Sequence, residues 1–267
     1  MTKIVICGVA GRMGQRLAHL TLAAADLELC GGKERPEHEA VGRDIGEVVG
    51  TRHLDLTVSD TLSGIVEPDQ VVVCFTTPEA TLEDAALCAV RGVPMVVGTT
   101  GFSPEQLAEF ERTVADITCV FASNFSTAMN VLFKLVEEAA RILGDDYDVE
   151  IIEAHHRHKV DAPSGSALTL AERAAAGLGR NLREVAVHGR EGVVGERSRQ
   201  EIGMHAIRAG DLAGEHTVLY AAPGECLELQ HRATSRDSFA LGALRAARFA
   251  AQAEPGMYSM GDVLGLG

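Results

Sequence analysis

Tryptophan is missing from the 267 residues, and aromatics make up only 4% against 46% apolar residues in all. That balance is the one of an ordinary soluble globular protein. No apolar run reaches the roughly 20 residues of a membrane-spanning helix, so a helical anchor is excluded. Cys-x-x-Cys pairs are absent too: six cysteines stand apart at 7, 30, 74, 88, 119 and 226. A disulfide framework and a thiolate metal site are thereby disfavoured, and a reducing cytoplasm is the expected compartment. Several of them lie in apolar runs such as VVVCF, where cysteine acts as a small buried hydrophobe. Positive charge is scarce, with 24 Lys and Arg against 38 Asp and Glu and a net of −14. Nucleic acid and anionic membrane are not expected partners, since either needs a broad basic face. The opening MTKIVICGVAG enters a strand pattern directly and has no signal-peptide layout. Internal repeats and low-complexity segments are absent.

The length suits one large domain or two modest ones. Over the first half, KIVICG (3–8), LELCGG (27–32), VVVCF (71–75), PMVVG (94–98) and ITCVFA (117–122) read as strands. Their near-continuous apolar character predicts a parallel sheet covered on both faces. Helices are expected at about 12–25, 79–91 and 104–115, the last opened by Ser103, Pro104 and Gln106 as a capping box. Repeated strand–helix units of this kind make a doubly wound α/β sheet. After about residue 126 the pattern changes. A long helix stopped by Gly144 leads to a strand, YDVEIIEA, then a basic loop and a helix over about 165–178. Strands near 202–208, 215–222 and 226–233 with short connections predict a mostly antiparallel or mixed sheet, hence an α+β second domain. A helix over about 237–252 follows. The Gly- and Arg-rich stretch 188–200 reads as a mobile or interface loop.

IVICGVAGRMGQRL places Gly8, Gly11 and Gly14 at a strand-to-helix turn, with Val9, Ala10, Arg12 and Met13 between them. Glycine lets backbone approach a pyrophosphate, and the helix start offers free N–H groups and a positive dipole end. The spacing is G-x-x-G-x-x-G, a departure from the commoner G-x-G-x-x-G, and such a turn can be merely structural. Its context favours a dinucleotide. Glu34 follows the second strand about where a ribose-binding acid belongs, and Arg35 could meet a 2′-phosphate. Alone, that pair reads as a solvated turn. Gly98, Thr99 and Thr100 in GTTG, and Ala122, Ser123, Asn124 and Phe125 in ASNFS, also stand at carboxyl ends of strands, where open α/β sheets bind ligands. Tight turns are the plainer reading of both.

In this acidic chain, EAHHRHKVDAPSG (153–165) concentrates His155, His156, Arg157, His158 and Lys159. Three histidines invite a zinc site, but catalytic zinc histidines usually come from a helix or separate strands at longer spacing, and no partner motif accompanies these. No metal is expected. A solvated basic turn is the bland alternative. DAPSGSAL follows directly, however, with Ser164 as a cap and a helix beginning near Ser166. Free N–H groups, hydroxyls, histidines and a lysine on one side of a loop suit a small carboxylate.

The motifs GVAGRMG, KER, GTTG, ASNFS, EAHHRHKVDAPSGSAL and MGDVLGL, in this order, resemble the 4-hydroxy-tetrahydrodipicolinate (dihydrodipicolinate) reductase family over essentially the whole chain. HHRHKVDAPSG carries most of that specificity. Ser166 departs from the family's more usual Thr but keeps the hydroxyl. The resemblance implies a Rossmann-type nucleotide domain over 1–126 plus 237–267, and a substrate and oligomerisation domain over 127–236. It implies a homotetramer using NADH or NADPH to reduce a cyclic dicarboxylate, 4-hydroxy-tetrahydrodipicolinate, with loss of water, on the diaminopimelate route to lysine. By motif, residues 8–13, Glu34, Arg35, 98–100 and 122–125 would contact the cofactor. His155 would be the acid/base group, Lys159 a proton donor, and His156, Gly165 and Ser166 would hold substrate. Another two-domain dehydrogenase would share the glycine turn but not the basic block. A nucleotide sensor would need neither the titratable histidine nor the lysine.

Overall fold

In the computed structural model, which describes residues 1–266, the run TKIVIC forms strand β1 (Thr2–Cys7). Its side chains alternate between two cores: Ile4 and Ile6 enter one, Val5 and Cys7 the other. Burial on both faces is why the run reads as continuously apolar. Then come α1 (Arg12–Ala23), β2 (Leu27–Lys33), α2 (Ile45–Val49), β3 (Val58–Ser59), β4 (Gln70–Cys74), α3 (Pro78–Arg91), β5 (Met95–Val97), α4 (Pro104–Thr113) and β6 (Thr118–Phe121). The capping box of α4 is present: Ser103 Oγ accepts from Gln106 N at 3.2 Å, and Gln106 Oε1 from Ser103 N at 2.9 Å. The sequence expectation missed the short α2 and β3.

Helix α5 (Thr127–Leu143) opens a second unit, residues 128–235. It buries Met129, Leu132, Phe133, Val136 and Ala140, a helical stripe, and Gly144 ends it at φ +61°. There follow β7 (Asp148–His155), α6 (Gly165–Gly177), α7 (Leu182–Val185), β8 (Ala186–His188), β9 (Ile202–Arg208), β10 (Glu215–Ala222) and β11 (Glu225–Arg232). The sheet order is β11-β10-β7-β9-β8. β10 runs antiparallel to β11 and β7, while β7, β9 and β8 are parallel, so the sheet is mixed. Val149 and Ile151 of β7 face the core that α5 and α6 cover. Ile152, alternating with them, is exposed on the other face, as is Ile207 of β9. The stretch expected as a mobile or interface loop is tied to β7. Arg190 reaches Glu150 at 2.8 Å, and Arg197 reaches Glu150 at 2.9 Å and Asp148 at 2.7 Å.

The chain then returns to the first unit as α8 (Asp237–Ala250), β12 (Gly256–Tyr258) and α9 (Met260–Leu264). α8 adds Ala240, Ala243, Leu244 and Ala247 to the core of Ile4 and Ile6. Its Gly242 is an obligatory close approach, since a Cβ there would lie 1.7 Å from the Phe125 carbonyl oxygen. The completed sheet is parallel throughout, in the order β12-β6-β5-β4-β1-β2-β3. Strand order reverses between β1 and β4, which makes the fold a Rossmann-type doubly wound sheet with its switch point there. Among the described residues no helix is long and apolar enough to cross a membrane.

Candidate active site

Gly8 leaves β1 at φ +74°, and a Cβ on it would come 3.1 Å from Thr76 Cγ2 beyond β4. It therefore stands at the switch point, where open α/β sheets take ligands. A Cβ on Gly14 would lie only 2.0 Å from the Gly8 carbonyl oxygen. Helix α1 can press on the turn because that side chain is missing. In the turn 8–13 the N–H groups of Gly8, Val9, Ala10 and Gly11 already have acceptors. What the turn leaves open is the first turn of α1, which has no acid and no side-chain cap among the described residues. Unused N–H groups at a helix start fit a pyrophosphate.

Glu34, just past β2, is drawn to the turn 8–13: its Oε1 accepts from Ala10 N at 2.9 Å. The side chain of Arg35 is exposed and makes no hydrogen bond or ion pair among the described residues. Lys33 pairs with buried Asp84 of α3. A cleft of about 470 Å³ gathers Gly8, Gly11, Glu34, Arg35, Phe75 and Thr76. Phe75 and Thr76 were not among the sequence candidates, although the strand-end rule that selected GTTG applies equally to VVVCFTT.

The segments 98–100 and 122–125 follow β5 and β6 at the same carboxyl edge but do not line this cleft. Thr99 is buried, with its Oγ1 2.7 Å from Thr81 Oγ1. Phe125 is buried edge-on to Phe75, ring centroids 5.5 Å apart. These two can offer backbone and shape, not side-chain polarity. Thr100 and Ser123 are exposed, and Asn124 Oδ1 accepts from Ser126 N at 2.8 Å. Cys7, Cys74 and Asp84 also come together in the interior. Lys33 already neutralises that carboxylate, and the Cys74 thiol is pushed well up by Cys7 beside it and by burial. A protonated thiol is a poor metal ligand.

In the second unit, His155 ends β7 and its Nδ1 lies 2.5 Å from Glu153 Oε2. An ionised carboxylate only accepts, so the shared proton sits on Nδ1 and Nε2 is left for exchange. Burial lowers the His155 pKa below the ordinary histidine value, Glu153 opposing it. Lys159 Nζ is held by both oxygens of exposed Asp161, at 2.7 and 2.8 Å. The backbone N–H of His156 donates to Leu212 O at 2.8 Å, and its buried Nδ1 has no partner among the described residues. Ser164 caps α6 by accepting from Ala167 N at 3.2 Å, which puts Gly165 and Ser166 in the first turn. Arg157 and His158 are exposed. Glu153 of β7, Arg208 of β9 and His216 of β10, which the sequence reading did not single out, gather at His155, with His231 of β11 next to His216.

A Rossmann-type nucleotide-binding unit in one chain with a second unit that carries a loop of basic side chains is the make-up of a pyridine-nucleotide-dependent oxidoreductase. The chain belongs to the dihydrodipicolinate reductase family: the description "Dihydrodipicolinate reductase, N-terminus" matches residues 2–125 and "C-terminus" residues 128–264. A 4-hydroxy-tetrahydrodipicolinate reductase of Alkalilimnicola ehrlichii is 52% identical over 265 residues, 99% of each chain. The enzyme of that name from Syntrophobacter fumaroxidans is 48% identical over the whole of both chains. Among solved structures, dipicolinate-bound dihydrodipicolinate reductase from Paenisporosarcina sp. TG-14 is similar at a TM-score of 0.75, with 26% identity and 97% of each chain covered.

Proposed function

We propose that this chain reduces 4-hydroxy-tetrahydrodipicolinate to tetrahydrodipicolinate with loss of water, using NADH or NADPH, on the diaminopimelate route to lysine. The observation that carries the reading is one loop holding His155 on a carboxylate, Lys159, and the first turn of α6. A cyclic dicarboxylate needs that kind of partner in an otherwise acidic chain. The dipicolinate bound by the Paenisporosarcina enzyme is itself a dicarboxylate.

The first unit takes the nucleotide on residues 8–13, with Glu34 and Arg35 at its ribose and the strand-end segments 98–100 and 122–125 alongside. When bound, the reduced nicotinamide supplies a hydride. His156, Gly165 and Ser166 hold the substrate carboxylates. Reduction of a conjugated imine leaves negative charge on an enamine, and His155 Nε2 delivers the proton that quenches it. Substrate carboxylates brought beside His155 raise its lowered pKa, so that it binds the proton it must give. Lys159 adds a positive charge and a second proton source. The helix-free face of the second unit, with Ile152 and Ile207 exposed, is the surface for a homotetramer. The six free cysteines agree with a cytoplasmic setting.

The deciding assay follows oxidation of NADH and NADPH with enzymatically generated 4-hydroxy-tetrahydrodipicolinate. Substrate-dependent oxidation supports the reading. Failure with both nucleotides, where a family reductase run in parallel turns over, refutes it.

A further inference from the structure

Glu153 is nearly as enclosed as a charge can be, with 1% of its side chain exposed. Period-two alternation puts it on the same face of β7 as His155. It accepts from His155 Nδ1 at 2.5 Å, from both Arg208 terminal nitrogens at 2.8 and 2.9 Å, and from Ser164 N at 3.1 Å. Across the sheet it pairs with His216 of β10, which pairs with His231 of β11. His216 stands edge-on to His155, ring centroids 5.2 Å apart, and its Nε2 is 3.2 Å from Ser164 Oγ.

The charges around His155 are therefore uneven. Lys159 from the basic loop and Arg208 from β9 disfavour the imidazolium, and His216 on β10 is held neutral by burial. Asp161 is spent on Lys159. Glu153 is the anion in hydrogen-bonding reach of the ring. Burial pushes the Glu153 carboxyl up, but Arg208 and His155 outweigh it and hold the group below its ordinary value.

We propose that Glu153 is a positioning residue for the reaction: clamped by Arg208 and Ser164, it fixes the His155 proton on Nδ1, aims Nε2 for proton exchange and stabilises the imidazolium. The proposal rests on the reading of His155 as the acid. A buried acid placed only to neutralise Arg208 would not need a histidine ring on the same Oε2 that Arg208 already uses. The arrangement is that of a base oriented by a third group in nucleophilic triads, here applied to a proton donor.

The test measures pH profiles of kcat for the full chain with Glu153→Gln, His155→Gln and the two combined. Glu153→Gln should lower kcat by about 10- to 100-fold and move the descending limb to lower pH by about one unit. The substrate KM should hold within about threefold, as for a group acting on the chemical step. Added to His155→Gln it should cost nothing further, because a residue acting through another has no effect once that other is gone. Should Glu153→Gln fold poorly beside a lone Arg208, Glu153→Gln with Arg208→Gln removes both charges and should shift the limb in the same direction by less, since Arg208 opposes the imidazolium. A lower stability with an unmoved limb in both variants overturns the proposal, as does a further loss on top of His155→Gln. Undiminished kcat in His155→Gln alone would instead refute the acid reading on which it rests.

Discussion

Glu34 and Arg35 are consecutive, yet the turn treats them differently. Glu34 is fastened to Ala10 N, while the guanidinium of Arg35 stays unpaired among the described residues and Lys33 is committed to Asp84. A fixed acid suits the ribose hydroxyls of NADH and repels the 2′-phosphate of NADPH, whereas Arg35 attracts that phosphate. The opposing preferences should leave kcat/KM for the two nucleotides within about 5- to 30-fold, about 1–2 kcal/mol. Arg35→Ala should cut NADPH use by about tenfold and leave NADH use nearly unchanged; equal loss with both would make Arg35 a mere turn residue. In the second unit, His155→Gln and Lys159→Ala should each lower kcat by about 10²- to 10⁴-fold. His156→Ala should act mainly on KM, as expected for a group that only binds. Steady-state kinetics with purified variants separates the two effects. Release of Lys159 from exposed Asp161 should cost little, since ion pairs with an exposed partner are worth only about 0–1 kcal/mol.

At the scale of elements, the tight places are where helices meet backbone. Gly242 of α8 lies so near Phe125 that a methyl group overlaps the carbonyl. Gly242→Ala should cost about 1–3 kcal/mol, the usual range for overpacking. A fall in the urea midpoint of the first unit checks it, and an unchanged midpoint would mean the helix slides freely. Phe125 also packs on Phe75 at the cleft, so nucleotide affinity should fall with it. The longer elements were legible because their apolar periods are strong: β1, β2, β4, α3 and β9–β11 lie within a residue or so of the expected spans. β3, α7, β8 and β12 were not, because two to four residues carry no period and are ordered by pairing or packing from elsewhere. The loop of His155 and Lys159 was legible as a motif. Glu153 lay two residues before His155 in an expected strand, which the two-residue alternation could have flagged. Arg208 and His216 were not readable, since only sheet register brings them to that ring, and the same holds for His231 beside His216.

For the molecule as a whole, the two units should respond unequally to acid. His216 is pushed down to about 3 by burial, with the charges of His155 and His231 also against it. A histidine whose pKa falls on folding stabilises the native state above its unfolded value. That contribution is lost as pH drops from about 6.5 through the folded value. His155 and His231 shift in the same direction. His53 in the first unit shifts upward, chiefly through Asp44, so it favours folding as pH falls. Between pH 7 and 5 the second unit should lose urea resistance while the first keeps it. Brief proteolysis in graded urea, with fragments assigned by mass, distinguishes them, and parallel midpoints would contradict the assignment. The division of the chain also has a consequence in time. The first unit is assembled from residues 1–127 and from 236 onward, with the second unit spelled out between them. A ribosome adding about 5–20 residues per second needs several seconds for that middle stretch. Through that interval Ile4 and Ile6 lack their cover from α8, and β6 lacks β12 at its edge. The domain begun first is finished last, so in the nascent chain the uncovered face of β1 and the bare edge of β6 stay open to chaperones and proteases through that interval.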